Sequence, residues 1–108
     1  MDSIQDDLNA IAKKINEILP DAKVYLFGSY ATGEQRKDSD IDICVVVPEF
    51  RDRQMETLRL IRSAIRGATV LPVDVLAFVR DDFEKRAKLK STIQHTIMRT
   101  GVLLNGQH

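Results

Sequence analysis

The chain has 108 residues, which suits one domain and leaves little room for a second. Its 44% hydrophobic content supports a single core, and sixteen basic residues cancel sixteen acidic ones, so bulk charge does not hold it on nucleic acid or an anionic membrane. No run is long and apolar enough to span a bilayer, the start Met-Asp-Ser-Ile-Gln-Asp-Asp is unlike a secretory signal, and the lone Cys44 has no internal partner, which together favour a reducing, cytoplasmic setting.

Ile4, Leu8, Ile11, Ile15 and Ile18 recur at helical spacing and predict an amphipathic helix over residues 3–19, with Ser3 and Asp6 as a capping pair and Pro20 as its stop. Lys23 to Phe27 is a short β-prone run, ended by Gly28-Ser29. A helical turn is expected over Tyr30 to Glu34, before the polar stretch Gln35-Arg36-Lys37-Asp38-Ser39. Asp40 to Val47 reads as the central strand. Asp40 and Asp42 share one face, Ile41 and Ile43 the other, and Cys44-Val45-Val46-Val47 is apolar on both, as a strand covered on both sides would be. Met55, Leu58, Ile61 and Ile65 space as a second helix, closed near Gly67, and Val70 to Val79 reads as a third strand containing Asp74. Asp82 is placed to cap a third helical region carrying Phe83, Ala87, Ile93 and Ile97, broken at Leu89 and the Lys90-Ser91 junction, and Val102-Leu103-Leu104 reads as a short edge strand. The fold class is therefore α/β, a small sheet of three to four strands flanked by helices, with parallel or antiparallel pairing of the second and third strands left open.

The chemistry lies in where the acids fall. Asp40 and Asp42 project to the same side at the head of an apolar strand, and Asp74 interrupts Pro-Val-Asp-Val-Leu, where an apolar or β-branched residue would suit a strand better. A buried carboxylate loses hydration, and clustered carboxylates repel one another. A divalent cation relieves both, and all-oxygen ligands suit Mg²⁺ or Mn²⁺. Gly28 lets the backbone approach a ligand, and a helical turn opening at Ser29 offers N–H groups and a hydroxyl to phosphate oxygens.

The stretch from Gly28-Ser29 through ten residues to Asp40-Ile41-Asp42 resembles the signature of the minimal nucleotidyltransferases of the DNA polymerase beta-like superfamily, and Asp74 matches their third acidic residue on a later strand. The order of elements resembles that fold along nearly the whole chain. The resemblance implies a two-metal displacement that moves AMP from ATP, with Asp40, Asp42 and Asp74 as catalytic residues and metal ligands and Gly28 and Ser29 as nucleotide-binding residues. It also implies a HEPN-domain toxin as partner, AMP-modified at a tyrosine hydroxyl, with this chain as the antitoxin of a toxin–antitoxin pair. Thr32 departs from the pattern, since many relatives carry an arginine there. A binding antitoxin acting by steric contact, and a small-molecule transferase of the antibiotic-modifying type, are the competing functions. A sugar-nucleotide transferase using Asp-x-Asp does not explain the Gly-Ser spacing.

Bland readings compete residue by residue. Asp38-Ser39-Asp40 alone would be a solvated turn, Asp74 alone an exposed residue on an edge strand, and Gly28-Ser29 alone a plain turn. Tyr30 is expected in packing and Cys44 as a small buried apolar residue. His95 and His108 read as surface residues. The arginines from Arg51 to Arg66, and the basic run from Lys85 to Lys90, read as solvated faces.

Overall fold

The computed structural model describes residues 4–50 and 52–105. Ser3, Arg51 and His108 lie outside them, and with them the capping pair and the start of the arginine-rich stretch. Helix α1 (Ile4–Ile18) buries Leu8, Ile11, Ala12 and Ile15, the stripe its periodicity predicts. It is followed by β1 (Lys23–Phe27), the single turn α2 (Ser29–Thr32), β2 (Ile41–Val47), α3 (Gln54–Ala64), β3 (Val73–Val79), α4 (Arg80–Ala87), α5 (Ile93–Thr100) and the two-residue β4 (Val102–Leu103). Among the described residues, no helix is long and apolar enough to cross a membrane.

The sheet runs in the order β3-β2-β1-β4. β1 pairs antiparallel with β2 and with β4, whereas β2 and β3 are parallel, with α3 in the crossover between them. Alternation along β2 divides the interior. Ile41, Ile43, Val45 and Val47 join the α1 and α3 side, with Val24, Leu26, Val75 and Ala77. Cys44 and Val46 join Phe83 and Ile97 of α4 and α5 on the other side, backed by Tyr25, Phe27 and Phe78. There the Phe83 ring lies 6.1 Å from Tyr25 and 5.8 Å from Phe78, centroid to centroid. Burial on both faces explains why the second half of β2 is apolar throughout.

Several boundaries differ from the sequence expectation. β3 starts at Val73, because Pro72 has no N–H for a ladder and Val70 is fully exposed. Asp82 lies inside α4, whose N-cap is Val79, although Asp81 and Asp82 still sit in its first turn, where acids offset the helix dipole. The helical break falls where expected, at Leu89 and the Lys90-Ser91 junction, and it ends on Thr92. Its hydroxyl accepts from the His95 N–H at 3.1 Å and lies 2.8 Å from the carbonyls of Arg86 and Leu89, so one side chain closes α4 and opens α5. His95, expected at the surface, is half-buried, its Nδ1 3.0 Å from the Ala87 carbonyl.

Asn105 continues the edge beyond β4. Its Oδ1 accepts from the Val24 N–H at 2.9 Å, while Nδ2 donates to Asn16 Oδ1 and to the Ala22 carbonyl. Asn16 in turn donates to the carbonyls of Leu19 and Ala22, which fixes the α1–β1 corner.

Candidate active site

Asp42 projects from the same face of β2 as Cys44 and Val46, the side covered deeper in the sheet by α4 and α5. The parallel register sets Asp42 directly beside Asp74, so both carboxylates leave the sheet on one side. Asp40 precedes the strand by one residue, and its carboxyl lies near enough to that of Asp74 for the two to interact. The Ile41 N–H donates to the Pro72 carbonyl at 2.9 Å, tying the heads of the two strands together. All three aspartates therefore converge, although they stand on two strands and a loop.

β1 ends at the same place. Phe27 pairs with Asp42, and the chain then turns through Gly28 at φ 76° and ψ −154°. The positive φ calls for glycine, and a Cβ on Gly28 would also run into the Asp42 carboxylate and push it aside. The Gly-Ser turn and the acidic cluster thus touch. In α2 the Gly28 carbonyl accepts from the N–H groups of Ala31 and Thr32, at 3.0 and 3.2 Å. The N–H groups of Ser29 and Tyr30 precede the first intrahelical donor, that of Ala31. Gly33, at φ 80°, ends the turn, and the Glu34 N–H returns to the Ser29 carbonyl at 2.9 Å. Tyr30 packs against the α1 and α3 core, as expected.

Thr32 has its hydroxyl 2.7 Å from Glu34 Oε1, so the position where an arginine is common in the resembling family carries no cation and faces a carboxylate. Two features here went unread in the sequence. Ser39 Oγ accepts from the Arg36 N–H at 2.7 Å while the Ser39 N–H donates to the Arg36 carbonyl at 3.1 Å. The Pro72 carbonyl supplies the anchor for Ile41. A polar tetrad such as Arg36-Lys37-Asp38-Ser39 does signal a turn, but not which strand the turn would steer.

The expected burial of the acids is corrected by their exposure: Asp40 and Asp74 are exposed and Asp42 is half-buried. Asp42 has its pKa raised above the usual carboxylate value by burial first, then by the charges of Asp74 and Asp40. Asp40 is raised as well, by desolvation, then by the charge of Asp74 and the hydrogen bond to it, then by Asp38. Because Asp40 stands in solvent, its contact with Asp74 is the cause that carries the geometry. Among the described residues, no three acidic, histidine or cysteine side chains are drawn up at metal-holding distances. The donor chemistry suits a hard divalent cation nonetheless: the groups are all carboxylates, on one side of one sheet end, and they repel one another when ionised.

Cys44, two residues deeper on the same strand face, is buried, and burial pushes its thiol up to about 12, so it is not a nucleophile at neutral pH.

The nucleotidyltransferase domain family matches residues 8–99. The chain is 29% identical over 99 residues to the protein adenylyltransferase MntA of Thermococcus cleftensis, covering 92% of this chain and 90% of that protein. In structure it resembles a chain of a toxin–antitoxin complex with AMP-PNP, at a TM-score of 0.60 and 28% identity, covering 94% of this chain and 74% of that one. It shares its fold with a chain from the complex of a tri-AMPylated Shewanella oneidensis HEPN toxin with an MNT antitoxin, at a TM-score of 0.53 and 24% identity, covering 94% of this chain and 71% of that one.

Proposed function

Because the chain belongs to the nucleotidyltransferase domain family, we propose that it moves AMP from ATP to a hydroxyl of a partner protein, as the antitoxin of a HEPN-domain toxin. The observation that carries this reading is the meeting of Asp40, Asp42 and Asp74 beside the Gly28-Ser29 turn. Asp40, Asp42 and Asp74 are the catalytic residues and the ligands for Mg²⁺, and Gly28 and Ser29 hold the nucleotide. The cation supplies the positive charge that a triphosphate and three carboxylates need in order to share one site.

The residues divide the work. Asp40 and Asp42 face the triphosphate. The Ser29 hydroxyl and the N–H groups of Ser29 and Tyr30 hold the outgoing pyrophosphate. Asp74, exposed on the edge strand β3, lies on the acceptor side and takes the proton of the attacking hydroxyl. The new bond joins that oxygen to the α-phosphorus, and the bond from the α-phosphorus to the pyrophosphate oxygen breaks. Positioning and charge, more than covalent chemistry, supply the rate.

The acidic cluster opens to solvent, so a separate protein is able to present its hydroxyl there. That the relative is named a protein adenylyltransferase, and that the structural neighbour is part of a toxin–antitoxin complex, supports a toxin as acceptor. A reducing cytoplasm fits the lone buried Cys44. Incubation with α-labelled ATP, Mg²⁺ and the cognate toxin tests the proposal. Label should appear on the toxin with the wild type and not with Asp42→Ala, and an unlabelled toxin in the wild-type reaction overturns it.

Thr32 favours a second reading, in which the chain neutralises its partner by contact alone, because the phosphate turn lacks a cation there and carries Glu34. Full neutralisation by Asp42→Ala would select that reading.

A further inference from the structure

Asp40 is the least anchored of the three aspartates. It stands outside β2, in solvent, with no ladder pairing of its own. Its direction is set by its neighbours. On the C-terminal side, Ile41 is held by the Pro72 carbonyl. On the N-terminal side, the turn Arg36–Ser39 is closed twice, by the Ser39 N–H on the Arg36 carbonyl at 3.1 Å and by the Arg36 N–H on Ser39 Oγ at 2.7 Å. The second bond is the shorter, and it is made by the side chain of the residue next to Asp40. Two pinned residues thus flank Asp40 and fix the backbone from which its carboxylate projects.

We propose that Ser39 is a positioning residue, whose hydroxyl closes the Arg36–Ser39 turn and so aims the Asp40 carboxylate at Asp74 and at the cation the cluster takes. The inference rests on the reading of the aspartates as a metal site. Without Oγ, the Arg36 N–H turns to water, which costs little stability because the turn is exposed. The carboxylate, however, gains freedom that a cation must then remove on binding. Groups that orient metal ligands commonly change affinity by about 10–100-fold, and an exposed turn belongs at the low end, about 10-fold.

The test is Mn²⁺ binding to the full chain without nucleotide, followed by the electron paramagnetic resonance of free Mn²⁺, for wild type, Ser39→Ala, Ser39→Thr and Asp42→Asn. Ser39→Ala should weaken binding about 10-fold and Ser39→Thr, which keeps the hydroxyl, should restore most of it. The metal-free melting temperature of both Ser39 variants should stay within about 2 °C of wild type, the shift expected of a surface change. Wild-type affinity in Ser39→Ala, beside weakened binding in Asp42→Asn, overturns the positioning role and leaves the metal site standing. Equal weakening in Ser39→Ala and Ser39→Thr overturns it too, because the hydroxyl would not be the cause. Wild-type affinity in Asp42→Asn removes the metal site itself, and the proposal with it.

Discussion

Asp42→Asn should make the metal-free protein more stable while removing its activity. Asp42 lies beside Asp74 across the parallel ladder, and its carboxyl is raised by burial, then by Asp74 and Asp40. A raised carboxyl pKa means that the folded state holds the proton more tightly than the unfolded chain does. The stability this group contributes is therefore highest below the unfolded carboxylate range and falls as pH rises through the raised value. Neighbouring strands stand about 5 Å apart, at which two unit charges in water repel by about 0.8 kcal/mol. Asp74 is exposed and water and salt screen the pair from that side, so about 0.5–1 kcal/mol is expected for the substitution. For a domain of this size that is a rise of roughly 2–6 °C in melting temperature. Thermal unfolding followed by circular dichroism at pH 7.5 with EDTA measures it, and the gain should shrink toward about pH 4, near the unfolded carboxylate value, where the wild-type cluster is increasingly protonated. Added Mg²⁺ should raise the wild type more than the variant. A variant that melts no higher than wild type in EDTA would show that the three carboxylates do not repel one another as their placement requires.

Gly28→Ala should lose at least about 10-fold in transfer and about 1–2 kcal/mol in stability, because φ 76° strains an L residue and the new methyl displaces the Asp42 carboxylate; urea unfolding and Mn²⁺ titration check the two halves. Asn105→Ala should cost about 1–2 kcal/mol in urea unfolding, since it strips the Val24 N–H of its acceptor and cuts the edge loose from Asn16 and Ala22. Cys44 should resist a thiol reagent at pH 8 until the chain is denatured, because its thiol titrates only at about 12 in the fold; ready labelling of the native protein would contradict its burial.

Much of this was legible along the chain because it is local. The Ile4–Ile18 stripe, the stop at Pro20, the apolar run Cys44–Val47 and the same-side pair Asp40 and Asp42 follow from periodicities of 3.6 and 2, which adjacent residues express without help from distant ones. Gly28-Ser29 at its fixed distance from Asp40 was legible for the same reason. Other features needed the folded chain. The parallel register that seats Asp74 beside Asp42, the Pro72 carbonyl that holds Ile41, the Asn105 side chain that finishes the edge at Val24, and the exposure of acids expected to be buried all depend on contacts between segments far apart in sequence. Even the crowding that a Cβ at position 28 would meet has a cause fourteen residues away, in the Asp42 carboxylate. Local pattern sets which way a side chain leaves its own strand, but the hydrogen-bond register between strands decides whose side chain it meets.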